Sequence, residues 1–145
     1  MSVRNDNALY LIDSNIFLRV FMRDNETQWH ECDNFLKAVA EDKVSAYIPS
    51  IVPVEIQFVM SSFYRIEKKS VIAAVKSVVT MTHLQIIDDT SLPIAVDLYE
   101  QNPVKFVDCL LASSTRVQKG EAVIVSYDRD FDKLGVKRLE PKQLL

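Results

Sequence analysis

The chain has 145 residues, with 17 basic and 20 acidic side chains and a net charge of −3. At 48% hydrophobic residues, with 2 Gly and 5 Pro, it predicts one globular domain over residues 1–145, long enough to bury a core. No apolar run approaches the roughly 18–20 residues of a membrane span. The polar start Met1 to Asn7 and the short run after it do not make a signal peptide, so the expected setting is the cytoplasm, with no membrane partner. Cys32 and Cys109 lie far apart in apolar helical patterns and are expected to be reduced core thiols. The acidic balance argues at first against a nucleic-acid ligand. That argument weakens if the acids are clustered: with Asp13, Glu55, Asp108, Asp128 and Asp130 set aside, 17 basic residues face 15 acidic ones.

Ala8 to Ile12 is a continuous apolar run, the pattern of a buried parallel strand. Asp13-Ser14-Asn15 opens a short helix through Phe21, and Arg23 to Glu26 is a polar loop. From Thr27 to Asp42, Cys32, Phe35, Leu36, Val39 and Ala40 recur at helical spacing. Val44 to Pro49 is a second strand. Ser50 is placed to cap the next helix, with Pro53 in its first turn; that helix carries Glu55 towards Phe63. Lys68 to Met81 is a further helix and Leu84 to Ile87 a third strand. Ser91 to Tyr99 predicts a helix ended by Asn102-Pro103, and Lys105 to Lys119 another, stopped by Gly120. Ala122 to Ser126 is a strand, Asp130 to Leu134 one helical turn, and Val136 to Leu139 an edge strand. Strands alternating with helices predict a three-layer α/β/α sandwich on a central parallel sheet of four to five strands. In such sheets the site lies beyond the carboxyl ends of the strands, where Asp13 and Asp128 emerge.

Four acids stand beside apolar runs: Asp13 after Ala8–Ile12, Glu55 within Ile51–Val59, Asp108 within Phe106–Ala112 and Asp128 after Ala122–Tyr127. A carboxylate taken out of water costs several kcal/mol unless a cation compensates it. Each acid also has an ordinary explanation. Asp13 caps the helix behind it, Glu55 lies near a helix start where the dipole favours an anion, and Asp128, Asp130 and Asp132 suit a turn. Asp108 is the hardest to explain so, three residues into a helix whose neighbours Phe106, Val107, Leu110 and Leu111 are expected to be buried. One shared metal site accounts for all four. Oxygen-only ligation suits Mg²⁺ or Mn²⁺, whereas His30 and His83 have no paired spacing and no CxxC or HExxH occurs, which argues against zinc. One or two such ions, held by carboxylates, provide both a nucleophilic water and a stabilised leaving oxygen for phosphodiester hydrolysis.

At these residues the chain resembles the PIN domain family, and within it the VapC-type toxins of toxin–antitoxin pairs. Asp13-Ser14-Asn15 after a first strand is similar to the family's opening motif, and Glu55 in an apolar helix matches its second acid. Asp108 in Val107-Asp108-Cys109-Leu110-Leu111-Ala112 matches the third. Ser126-Tyr127-Asp128-Arg129-Asp130-Phe131 is similar to the late strand-end motif, with Ser126 where Thr is commoner. The likeness covers nearly the whole chain. It implies an α/β/α fold and a Mg²⁺- or Mn²⁺-dependent endoribonuclease. It implies catalytic and metal-binding places for Asp13, Glu55, Asp108 and Asp128, and supporting ones for Asn15, Ser126 and Asp130. The implied partners are an RNA substrate, a small antitoxin protein and a second copy of the chain.

Other small α/β folds fit worse. A receiver domain needs paired acids after the first strand, where Asp13 stands alone, and a haloacid-dehalogenase-type phosphatase needs Asp at position 15, which is Asn. Two readings within the family stay open: a PIN ribonuclease of RNA maturation or quality control, and an inactive PIN-like binding module, although none of the four acids is lost. For RNA phosphates the candidates are Arg19, Arg23, Arg65, Lys68, Lys69, Lys105, Arg116, Lys119 and Arg129. Trp29, Phe63 and Tyr64 are expected mainly in the core, with a docked partner helix as the alternative.

Overall fold

The computed structural model describes residues 8–144; the polar start Met1 to Asn7 and Leu145 lie outside the described residues. Its elements alternate as the hydropathy pattern requires. β1 (Leu9–Ile12) leads through α1 (Ser14–Met22) and α2 (Glu26–Ala40) to β2 (Ser45–Ile48). α3 (Ile51–Phe58) and α4 (Lys68–Val79) then lead to β3 (Leu84–Ile86). α5 (Leu92–Gln101), α6 (Phe106–Ala112) and α7 (Thr115–Gln118) follow, then β4 (Ala122–Val125) and the short β5 (Arg138–Leu139). The sheet has five parallel strands in the order β3-β2-β1-β4-β5. Helices flank it, so the expected α/β/α sandwich is the observed fold.

The central strand shows why the pattern reads as it does. Leu11 and Ile12 are fully buried, as are Ile48, Ile124 and Val125 on neighbouring strands. Buried parallel strands have no solvent face and therefore no polar alternation. The chain leaves β1 towards β2 on one side and later returns to β4 on the other. The gap between the carboxyl ends of β1 and β4 is thus the topological switch point, where open α/β sheets form a crevice. Ile12 lies opposite Val125 across that gap, and the Asp13 amide donates to the Val125 carbonyl at 3.1 Å. Asp13 and Ser126 therefore leave the sheet side by side.

Several sequence expectations need correction. The helix predicted over Lys105 to Lys119 is two helices. Ser113 Oγ donates to the Leu110 carbonyl at 2.6 Å, and Ser114 turns to an extended backbone. The Asp89 carboxylate then holds Ser114 Oγ at 2.7 Å and the backbone and guanidinium nitrogens of Arg116 at 3.1 and 2.9 Å. A competing side-chain network thus wins over local helical preference. Ser50 precedes α3 but makes no cap bond; its hydroxyl donates instead to Asp88 at 2.6 Å. α3 ends at Phe58 and relaxes into a wider π turn, Val59–Phe63. Phe63 is 76% exposed and Phe106 36% exposed, so neither is a core residue. Val107 and Leu110 are half-buried, and only Leu111 of the predicted four is fully enclosed. Cys32 and Cys109 are buried and free, as expected. Among the described residues no helix is long and apolar enough to cross a membrane.

Candidate active site

Five of the acids singled out in the sequence meet at the switch point. Asp13 occupies the N-cap of α1, its Oδ1 accepting the Ser14 amide at 2.7 Å. The ordinary capping role and a place in the site are thus held by one side chain. Its second oxygen accepts from Ser126 Oγ at 2.7 Å. Ser126 is fully buried and acts as a hub: its Oγ also accepts the Asn15 side-chain amide at 3.1 Å and the Asp128 backbone amide at 2.9 Å. Asp128 in turn caps the 3₁₀ turn Arg129–Leu134, accepting the Asp130 amide at 2.9 Å. Glu55 reaches in from α3 through a short hydrogen bond from Ser14 Oγ. Asp108 comes from the first turn of α6 and is buried.

The acids fall into two touching groups. Asp108, Asp128 and Asp130 each present an oxygen within 4.8 Å of the other two. Asp13 and Glu55 form the adjoining half, tied together through Ser14. Asp130, expected in a supporting place, joins the group of Asp108 and Asp128 from its more exposed side. The next residue, Phe131, is fully buried in the core.

In the site the carboxyls outnumber the cations beside them. Burial, opposed by Lys105 and reinforced by Asp13 and Asp128, pushes the Asp108 carboxyl up to about 8. Its Oδ2 is buried without a hydrogen-bond partner. Burial also raises Asp13 to about 6, against the Ser126 hydrogen bond and with the help of Glu55. Buried carboxyls that cannot all ionise together make a site that a cation would stabilise. The donor set fits a hard divalent ion: oxygen atoms only, several carboxylates, and one orphaned oxygen turned inward. Lys105, before α6, places Nζ 3.9 Å from Asp128 Oδ2. Burial tends to lower its pKa, but Asp108, Asp128, Glu55 and Asp13 together raise it. Lys133 pairs with Asp130 at 3.2 Å on the outer side.

Comparison with known proteins identifies the family. The model of the PIN domain matches residues 10–137. The chain belongs to the PIN domain family. A VapC ribonuclease of Aquifex aeolicus (strain VF5) is 24% identical over 132 residues, spanning 90% of this chain and 96% of the relative. Among solved structures, VapBC2 of Rickettsia felis, bound to a DNA fragment from its promoter, superposes with a TM-score of 0.66. It is 18% identical and covers 91% of this chain and 98% of that one. A sarcin-ricin-loop-cleaving VapC toxin of Mycobacterium tuberculosis gives 0.64 at 14% identity, with coverage of 91% and 99%.

In this PIN domain the other candidates sort clearly. His30 lies beside Glu26 on the exposed face of α2, and His83 Nδ1 meets the Ala40 carbonyl. Arg19 and Arg23 are held by Asp24 and Glu26, and Arg116 by Asp89. Two contributors were missed in the sequence. Ser14 orients Glu55, which its place next to Asp13 could have suggested. Arg138 is the other. Its Nη1 donates to the Ser126 carbonyl at 3.0 Å, while Nε and Nη2 hold Asp132 at 3.1 and 3.2 Å. It clamps the strand end to the turn bearing Asp128 and Asp130, and no local sequence signal marks it.

Proposed function

We propose that this PIN domain is a divalent-metal-dependent endoribonuclease of the VapC type, the toxin of a type II toxin–antitoxin pair. The observation that carries this reading is the convergence of Asp13, Glu55, Asp108, Asp128 and Asp130 at the switch point, with Asp108 Oδ2 buried and unpaired. Asp13, Asp108 and Asp128 are the residues to hold Mg²⁺ or Mn²⁺, with Glu55 completing the site and Asp130 supporting it. Such an ion supplies an acidified water and compensates the charge that grows on the phosphate and the leaving oxygen. The chain's own contribution is orientation. Ser126 fixes Asp13 and the Asp128 backbone in one frame, and Ser14 does the same for Glu55. Loading requires Asp13 and Asp108 to give up protons, so affinity for the ion rises with pH.

The VapC relative and the VapBC2 structure support an antitoxin partner. The half-buried apolar side chains Phe21, Met22 and Ile66, beside buried Met60, line a cavity between α1 and α4 that suits one face of an amphipathic partner helix. A homodimer is part of the same reading. The test is direct: purified protein with Mg²⁺ or Mn²⁺ cuts RNA internally, and EDTA stops it. Cleavage at full rate in EDTA would overturn the reading.

A further inference from the structure

Beside the acids lies a cavity of about 540 Å³, between the end of α5 and the start of α6. It is lined by Tyr99, Asn102, Pro103, Val104, Lys105 and Asp130. Three features of its wall are unexplained by folding. Tyr99 is 52% exposed, and Phe106 meets it edge-on with ring centroids 5.4 Å apart. The pair fixes an aromatic face at the mouth of an acidic site, where apolar exposure gains nothing for stability. Asn102 uses its amide nitrogen on the Leu98 carbonyl at 2.9 Å, leaving its Oδ1 for a ligand donor. The Lys105 side chain is 68% exposed and sits at the limit of ion-pair range from Asp128. Its ammonium can turn outward, and a cation on the acids would weaken its hold on Asp128 further.

We propose that this cavity seats one nucleotide of single-stranded RNA next to the scissile bond, with its base stacked on Tyr99 and a backbone phosphate on Lys105. The inference rests on the ribonuclease reading and deepens it. Tyr99 and Lys105 line one cavity, offering an aromatic face to a base and a cation to a phosphate, and stacking accepts every base. Asp130 on the cavity wall links the seat to the acids, so a strand held here passes directly over them.

The test is binding of a fluorescently labelled single-stranded RNA oligonucleotide, read by anisotropy in EDTA so that the RNA stays intact. Tyr99→Ala should weaken binding on the order of tenfold, with Tyr99→Phe close to wild type. Its effect should vanish on an oligonucleotide whose bases are replaced by abasic sites. Lys105→Met should weaken binding to both oligonucleotides. It should also flatten the dependence of log affinity on log salt by about 0.7, the slope of one phosphate contact on a single strand, whereas Tyr99→Ala leaves the slope unchanged. Circular dichroism and a thermal scan establish that each variant is folded. If wild type neither binds nor cuts RNA, both this inference and the ribonuclease reading fall. If wild type cuts RNA while Tyr99→Ala binds it normally, the inference alone falls. Loss of a dimer in sedimentation velocity in that case would assign Tyr99, with Leu92 and Val96 on the same face of α5, to contact between two copies.

Discussion

Replacing Asp108 by Asn should stabilise the metal-free protein while abolishing cleavage. The magnitude follows from the buried carboxyl. An ordinary aspartate has lost its proton by pH 7, whereas Asp108 holds its proton in the folded chain up to about 8. Folding at pH 7 must therefore bind a proton against roughly three pH units, at 1.36 kcal/mol each, a ceiling of about 4 kcal/mol. The sign is that of a raised carboxyl. Stability is fully present below about pH 4, where both states are protonated, and is lost as pH rises towards 8. Asp108→Asn removes this loss and keeps the shape. In EDTA the variant should melt several degrees above wild type at pH 7, at about 3 °C per kcal/mol for a chain of this size. The two should converge near pH 4. With Mg²⁺ or Mn²⁺ added, wild type should gain stability and the variant little. A calorimetric scan at three pH values, with and without the ion, checks all of this. If Asp108→Asn lowers the melting temperature equally at every pH, and the ion leaves wild type unmoved, Asp108 is a structural residue and the metal-site argument fails.

Two further outcomes rest on the same geometry and a third on the VapC-type reading. Ser126→Ala removes one buried hydroxyl that serves Asp13, Asn15 and Asp128, so chemical denaturation should show a loss of about 1–3 kcal/mol and affinity for the ion should fall. Asp128→Ala should lower cleavage at saturating metal more than Asp130→Ala. A direct ligand outweighs an outer partner, typically worth about 10–100-fold; the reverse order in folded variants would exchange the two roles. Expression of the chain alone should slow bacterial growth, and a co-encoded small protein should restore it. Harmless overexpression of a protein that cuts RNA in vitro would favour an RNA-processing role instead.

The strands were legible because burial leaves a simple trace. The strands expected over Ala8 to Ile12 and Ala122 to Ser126 are built on apolar runs, and the structure trims each by a single residue, to Leu9–Ile12 and Ala122–Val125. The region from Lys105 to Lys119 was misread because its break is imposed from a distance. Asp89, from the loop after β3, supplies acceptors that draw Ser114 and Arg116 out of one continuous helix. Periodicity in a single segment carries no sign of such a partner. Phe106 and Phe63 were misplaced for a related reason. Hydrophobicity marks what prefers to be buried, not what has a neighbour to bury it.

The candidate site was legible through a conflict rather than through a preference. Asp13 and Asp108 sit where their surroundings favour an apolar side chain, and the resulting cost shows in carboxyls raised to about 6 and about 8. A sequence free of functional demands would remove that cost, so its persistence at several positions on one crevice argues for a compensating ligand. What the sequence hides is the frame. Ser14 and Arg138 are ordinary polar residues at ordinary positions, Ser126 is marked only by the family resemblance, and only the pairing of β4 with β1 and β5 turns the three into a rigid mount. The mount also limits how the acids can respond to their mutual repulsion. Ser126 ties Asp13 to the backbone of Asp128, so that pair is held against drifting apart; where Asp108 faces them, repulsion is relieved by taking up protons. Proton binding in the empty site and cation binding in the loaded one are therefore alternative answers to the same enforced crowding.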